Sequence, residues 1–215
     1  MARTPRSRLH NDARRAQLLD MGVALFGQRS YDEVSIDEIA EEAGISRGLL
    51  YHYFGGKRAF YLACIEVAAS QLLDVLSFDS RLTGVERVTS GLNAYLDWVS
   101  ERSGGYLALM RGGVDGSVAV ILEQARATLV ARMIEGMALS GPGPFPGFTT
   151  AAYAWLGAVE AAAACWLDRP DLSRDALVSL LVANLLGSLA GAALLHPDAG
   201  FTVDPLTRTL LQQLC

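Results

Sequence analysis

Arg47, Tyr51, His52 and Lys57 stand within a dozen positions of one another, in the stretch SIDEIAEEAGISRGLLYHYFGGK that covers residues 35–57. Arginine offers a planar fork of N–H donors, lysine a compact cation, and tyrosine and histidine short-range hydrogen bonds. Such a set suits the phosphates and base edges of a nucleic acid. Catalysis is a poor alternative. His10, His52 and His196 have no neighbouring His, Cys or carboxylate at metal-ligand spacing, and RGGVDGS (residues 111–117) lacks the lysine and the preceding strand of a phosphate loop. No enzymatic activity, metal or other cofactor is therefore expected.

Two short helices must hold these side chains. Asn11 or Asp12 can cap a first helix, in which Leu18, Met21, Leu25 and Phe26 recur at helical spacing to about Gln28. Ser35 and Glu38 then stand in the S-x-x-E capping-box relation, and Val34 and Ile39 occupy the positions of a hydrophobic staple, so a helix should open at Ile36. It must be short, because Gly44 suits the left-handed residue that closes a helix and Ser46 can cap the next one. Two helices joined so tightly cross steeply, which is the helix-turn-helix arrangement. The second, Arg47 to about Phe54, would enter a DNA major groove, with Leu50, Tyr53 and Phe54 turned inward and Arg47, Gly48, Tyr51 and His52 outward. Gly48 costs about 1 kcal/mol relative to alanine inside a helix, a loss that makes sense where another backbone approaches. Lys57, followed by Arg58, opens a further helix whose free N–H groups and dipole suit a phosphate.

Composition permits this reading. The 215 residues are 51% hydrophobic and 19% charged, enough to bury a sizeable core. Cys64, Cys165 and Cys215 are odd in number and far apart, which suggests neither disulfides nor a metal cluster, and a cytoplasmic setting without a signal peptide is expected. The formal charge of -5 is unevenly shared: residues 1–60 carry nine basic groups against eight acids, and the segment before Ala16 carries five arginines against Asp12 alone. That segment is either a solvated tail or a phosphate-seeking arm. A negative total is compatible with DNA binding, since the counterion term depends on local phosphate contacts.

The stretch from Val34 to Ile65 resembles the DNA-binding region of the TetR family of transcriptional repressors. The family core I-A-x-x-A-G-[VI]-S-x-G-x-[LI]-Y-x-[YH]-F-x-x-K is matched without gaps by Ile39, Ala40, Ala43, Gly44, Ile45, Ser46, Gly48, Leu50, Tyr51, Tyr53, Phe54 and Lys57. The resemblance covers about residues 11–65. It implies that Arg47 and Leu49 face bases, that Tyr51, His52 and Lys57 hold phosphates, and that Ser35 lies near the DNA backbone at the start of its helix; Ser46 and Gly48 complete the expected DNA-binding set. Ser30 departs from the glycine frequent at the end of the first helix, and Leu49 from a small or hydroxyl residue; Leu49 either touches a thymine methyl or packs.

The remaining chain should control binding. Residues 59–76 form an amphipathic connector, with Phe60, Cys64, Val67, Leu72, Val75 and Leu76 on or near one face. Helical patterns cover about 84–102, 115–138, 149–168 and 173–195, broken by SGGY, RGGVDGS and GPGPFPGF. The expected fold is all-α: a basic flexible arm (1–10), a three-helix helix-turn-helix domain (11–57) and a larger helical ligand-binding and dimerisation domain (58–215). Residues 176–195 hold no charge and carry Gly187-x-x-x-Gly191, as a membrane helix would, but flanking Asp171, Asp175 and Asp198 and the central Asn184 argue against a span. The expected use is a homodimer interface of two helices, with Gly157, Ala161, Ala164, Asn184, Gly187 and Gly191 at the contact. Tyr95, Trp98, Tyr106, Met110, Arg111, Met133, Met137, Trp155, Glu160 and Trp166 are candidates to line an effector pocket, Arg111 and Glu160 because charges in apolar segments need partners, either each other or a backbone carbonyl. The function expected is a sequence-specific DNA-binding regulator, a repressor whose affinity for a partly palindromic operator responds to a small molecule. The alternative is a helical interaction or membrane-anchored module using the helix-turn-helix for protein contacts.

Overall fold

A computed structural model describes residues 5–77, 82, 84–112, 115–140 and 143–201, with side chains from residue 11 onward. Among these residues the structure is all-helical and contains no strand. The helices are α1 (Pro5–Gln28), α2 (Ile36–Glu42), α3 (Arg47–Phe54), α4 (Lys57–Val75), α5 (Gly84–Glu101), α6 (Ser103–Arg111), α7 (Gly116–Gly136), α8 (Pro146–Asp168) and α9 (Arg174–Leu195), with a short 3-10 turn at Pro197–Ala199.

Compact packing divides the chain into two units. The first comprises Met1–Asp74 and Asp97–Leu122, the second Val75–Leu96 and Glu123–Cys215, so α1–α4 lie in the first except for the last residue of α4. Its core gathers Leu18, Val23 and Phe26 from α1, Val34 and Ile39 around the start of α2, Leu50 and Phe54 from α3, and Phe60 and Cys64 from α4. Phe54 meets Phe60 edge-on at 4.8 Å, and Phe26 meets Tyr61 likewise at 4.8 Å. Each phenylalanine buried in this way stabilises the fold by about 1.5–3 kcal/mol, so aromatic contacts tie α1 and the short α3 to α4.

Three expectations are corrected. Helix α1 begins at Pro5, ahead of the expected cap at Asn11 or Asp12; proline is pre-set for a first helical turn, and the following arginines are good helix formers. On α4, Val75, expected on or near the apolar face, is 49% exposed at the last residue of the helix. The third concerns SGGY, expected to break the chain, whose Ser103 to Tyr106 form the first turn of α6.

The glycines of α6 have a tertiary cause. A Cβ on Gly104 would lie 2.0 Å from the Gln28 carbonyl oxygen, and one on Gly105 would lie 1.9 Å from the Phe26 carbonyl oxygen. The last turn of α1 thus rests directly on the backbone of α6, and Gln28 Nε2 donates to the Glu101 carbonyl beside it. Gly105→Ala is expected to force these helices apart and to cost about 1–3 kcal/mol or more, as overpacking does. Urea unfolding of the variant against the parent measures it; an unchanged midpoint would show that the two helices are not held this closely.

In the second unit, α8 and α9 pack along their lengths. Phe148, Ala152, Trp155, Val159 and Ala163 of α8 are buried, as are Leu177, Leu181, Leu185 and Leu189 of α9. Trp155 Nε1 donates to the Leu181 carbonyl at 2.8 Å, and Ser173 caps α9 by accepting from the Ala176 amide. Arg174 ties α9 to α5 through Asn93. Helix α9 is long and apolar enough to cross a membrane by length and composition; here its buried side is covered by protein.

Candidate nucleic-acid interface

Hydrogen bonds cap both ends of α2 and the start of α3. The Glu38 amide donates to Ser35 Oγ at 3.1 Å while the Ser35 amide donates to Glu38 Oε2 at 2.7 Å, which completes the capping box. At the other end, the Gly44 amide donates to the Glu41 carbonyl and the Ile45 amide to the Ala40 carbonyl, with Gly44 at φ +60°. That is the Schellman closure, and it requires the left-handed residue that only glycine adopts cheaply. Arg14 Nη2 donates to the Ala43 carbonyl at 3.1 Å from α1. Ser46 then caps α3 by accepting from the Leu49 amide, and Gly55 at φ +80° ends it.

Glu38 links this geometry to pH. Hydrogen bonds from the Ser35 amide and hydroxyl, then the Arg29 guanidinium, hold its carboxyl below the ordinary value of 4.5. A carboxyl lowered in the folded state adds stability that is present above its unfolded value and lost as pH falls through the folded one. Glu38→Gln, which does not titrate, is therefore expected to melt below the parent at about pH 7, with the gap closing as acid takes the parent through its lowered folded value. Circular-dichroism melts check this, and a gap that persists in acid would contradict it. Ser30 closes the corner after α1 in glycine's place: its amide and hydroxyl both donate to Glu33 Oε2, and these bonds likewise lower the Glu33 carboxyl.

With the turn held, α3 buries Leu50 and Phe54, leaves Tyr53 half-buried, and exposes Arg47, Gly48, Leu49, Tyr51 and His52. Nothing but Ser46 Oγ, at 3.9 Å, comes near a Cβ built on Gly48, so the helix surface there is open. The Tyr51 ring lies against Gly56, at the start of α4. Lys57 opens α4 with its Nζ 3.9 Å from the centre of the Tyr31 ring. A cation over a partly exposed aromatic face gains about 0.5–1 kcal/mol, which holds the ammonium over that ring. Arg47 is also held: its Nη1 lies 3.2 Å from Asp37 Oδ1, across the turn on α2.

The sequence reading missed Tyr31 and Asp37. Asp37 stands in the first turn of α2, where an acid favours the helix dipole, and that local role masked its reach toward α3. The reading also grouped Arg14 and Arg15 with a basic arm. Arg14 instead caps α2, and Arg15 stacks over the Phe54 ring at 5.1 Å; the side chains before residue 11 lie outside the described residues. Arg58 bonds Asp115 and Ser117 at the start of α7. Burial pushes the Cys64 thiol up to about 12, so it packs as an apolar group.

Of the effector candidates, Trp98, Tyr106, Met110 and Arg111 belong to the first unit, and Tyr95, Met133, Met137, Trp155, Glu160 and Trp166 to the second. Tyr95, Tyr106 and Trp155 are buried, and Arg111 is exposed. Arg126 of α7 meets Glu160 with two bonds of 2.9 and 2.7 Å, within the second unit. An open pocket of about 620 Å³ lies between α8 and α9, lined by Gly147, Thr150, Ala154, Ser188 and Leu195 among others, and none of the candidates lines it. His196 there accepts from the Gly147 amide. Gly157, Ala161, Asn184 and Gly187 are exposed, Ala164 and Gly191 half-buried, and Gly157, Gly187 and Gly191 have no atom near a built Cβ.

Residues 18–64 match the family described as bacterial regulatory proteins of the tetR type, and residues 85–187 match a tetracyclin repressor-like C-terminal domain. A crystal structure of a tetR-family transcriptional regulator from Streptomyces coelicolor is 31% identical, with a TM-score of 0.80 over 94% of this chain and 89% of that one. The HTH-type transcriptional activator FasR of Mycolicibacterium smegmatis is 33% identical over 102 residues, 46% of this chain and 47% of the relative. The HTH-type transcriptional regulator BetI of Brucella anthropi is 46% identical over 50 residues, 23% of this chain and 26% of the relative. The chain thus spans about half, or less, of the length of these curated relatives.

Proposed function

The chain belongs to the tetR family of bacterial regulatory proteins, and from that premise we propose that it is a DNA-binding transcriptional regulator whose α3 reads an operator in the major groove. The observation that carries this reading is the rigid α2–α3 turn, capped at both ends, with Arg47, Gly48, Leu49, Tyr51 and His52 exposed together on α3. Arg47 and Leu49 meet base edges, the arginine through its donor fork and the leucine through a thymine methyl. Tyr51, His52 and Lys57 hold phosphates, Lys57 with the free amides of the α4 start. Ser35 and Ser46 set the two helix starts that face the backbone. The DNA-binding domain proposed is residues 11–57, with residues 58–215 as the regulatory and dimerising body.

Two copies join through the outer sides of α8 and α9, at Gly157, Ala161, Ala164, Asn184, Gly187 and Gly191. Small residues on both helices let a second pair approach closely. A two-fold axis then sets two copies of α3 about 34–36 Å apart, one turn of the duplex. A small molecule bound in the body changes operator affinity only through a difference in its own affinity for the DNA-competent and incompetent forms. Repression is the mode proposed. The relative FasR is named an activator, so a promoter assay is to be read for either sign.

Selection of random duplexes by the purified chain at moderate salt, followed by sequencing, tests the proposal. An inverted repeat with half-sites about one turn apart supports it. Recovery of no sequence above background would overturn it.

A further inference from the structure

We propose that Asp37 is a specificity-setting residue of the DNA head: its carboxylate holds Arg47 for a base edge and against the phosphates of unrelated DNA. The inference rests on the reading of α3 as the recognition helix. Arg47 opens α3 and is the one Lys or Arg on it, and Nη1 lies 3.2 Å from Asp37 Oδ1 and 3.4 Å from Oδ2. Both side chains are more than half exposed, so the pair stands where DNA would arrive rather than in the core.

The chemistry of the two partners decides what such a pair does. A guanidinium has five N–H donors in a fixed plane, and a guanine edge takes two of them. Asp37 can therefore stay on Nη1 while the remaining donors meet a base, and the plane of the fork is set before DNA is reached. A phosphate is different. It is present at every step of any duplex, and a free arginine on a long stem would swing to the nearest one. Asp37 opposes that swing in two ways: it competes for Nη1, and its own charge repels a phosphate drawn toward Arg47. The penalty falls on contacts that any sequence offers and spares the contact that only the right base offers.

Glu42 supplies the control. It is exposed on the same helix and is not paired with Arg47, so Glu42→Gln removes the same charge from the head without releasing the arginine.

The experiment measures binding of the full chain to two labelled duplexes by fluorescence anisotropy across a salt series. One is the duplex recovered by selection with the parent, the other a scrambled duplex of the same composition. Asp37→Asn is expected to tighten the scrambled duplex by about threefold to tenfold and steepen its salt slope by about one unit, as one added phosphate contact does. The recovered duplex should change by less than about twofold, so that the specificity ratio falls. In an Arg47→Ala background, Asp37→Asn should leave the slope unaltered, because Asp37 acts through Arg47. Equal tightening of both duplexes, matching Glu42→Gln, would overturn the proposal, as would a scrambled-duplex affinity identical to the parent's. If the parent prefers its recovered duplex and the Asn variant keeps the ratio, the role of Asp37 alone fails. If the parent shows no preference, the reading of the chain as a DNA regulator fails with it.

Discussion

Arginine in place of Gly157 or Gly191 is expected to leave the chain folded, reduce it to a monomer and weaken operator binding by roughly 10²–10⁴-fold, the gain that linking two half-site contacts ordinarily brings. Folding should survive because no atom lies within 4 Å of a Cβ built at either position. The loss falls on what a second copy needs. Along α8, Ala154, Gly157, Ala161 and Cys165 recur on one exposed side, and along α9, Leu180, Ala183, Asn184 and Gly187 do the same. Leu180 is 56% exposed and Leu186 47%, so apolar side chains face outward on a helix whose other side is buried. A stable protein interface buries about 1,200–2,000 Å², and a long cation set in its centre would be desolvated without a partner. Light scattering reads the mass and anisotropy reads the affinity. A dimer that persists with arginine at both positions would refute the interface.

The second large effect lies in the head. Arg47→Ala is expected to cost about 1–3 kcal/mol on the preferred duplex and to relax preference at one base position, while Lys57→Ala should weaken all duplexes alike and lower the salt slope by about one unit. The two cations differ because of where they stand. Arg47 projects from the first turn of α3, across from Asp37, whereas Lys57 sits over Tyr31 at the start of α4, where free amides favour an anion. Anisotropy titrations of both variants on preferred and scrambled duplexes separate the roles. An Arg47→Ala protein with undiminished preference would show that α3 does not read bases through that residue.

The helices of the head were legible because their ends are written in local side-chain chemistry. Ser35 with Glu38, Gly44 and Ser46 each satisfy backbone groups of their own turn, so α2 and α3 could be bounded without knowing what they pack on. Helix α6 was not legible for the opposite reason. Gly104 and Gly105 read as a break on propensity, and only the α1 carbonyls resting on them explain why glycine is required inside a helix. The partner of Glu160 was hidden in the same way, since Arg126 lies 34 positions away and shares no local pattern with it. Asp37 and Tyr31 were overlooked at the site itself. Each has a sufficient local role, one in a helix dipole and one among aromatic residues, and the cation each holds comes from another helix. Local closure is written in sequence, and contacts between elements are not.

Hydroxyl-radical footprinting of the full chain on the duplex recovered by selection tests the central claim most directly, because it locates the heads rather than inferring them. Two protected windows related by inversion, with centres about one helical turn apart, are expected for the parent, and base preference within each window should weaken in Arg47→Ala. A single window, or uniform protection along the duplex, would contradict the account of a paired helix-turn-helix reader.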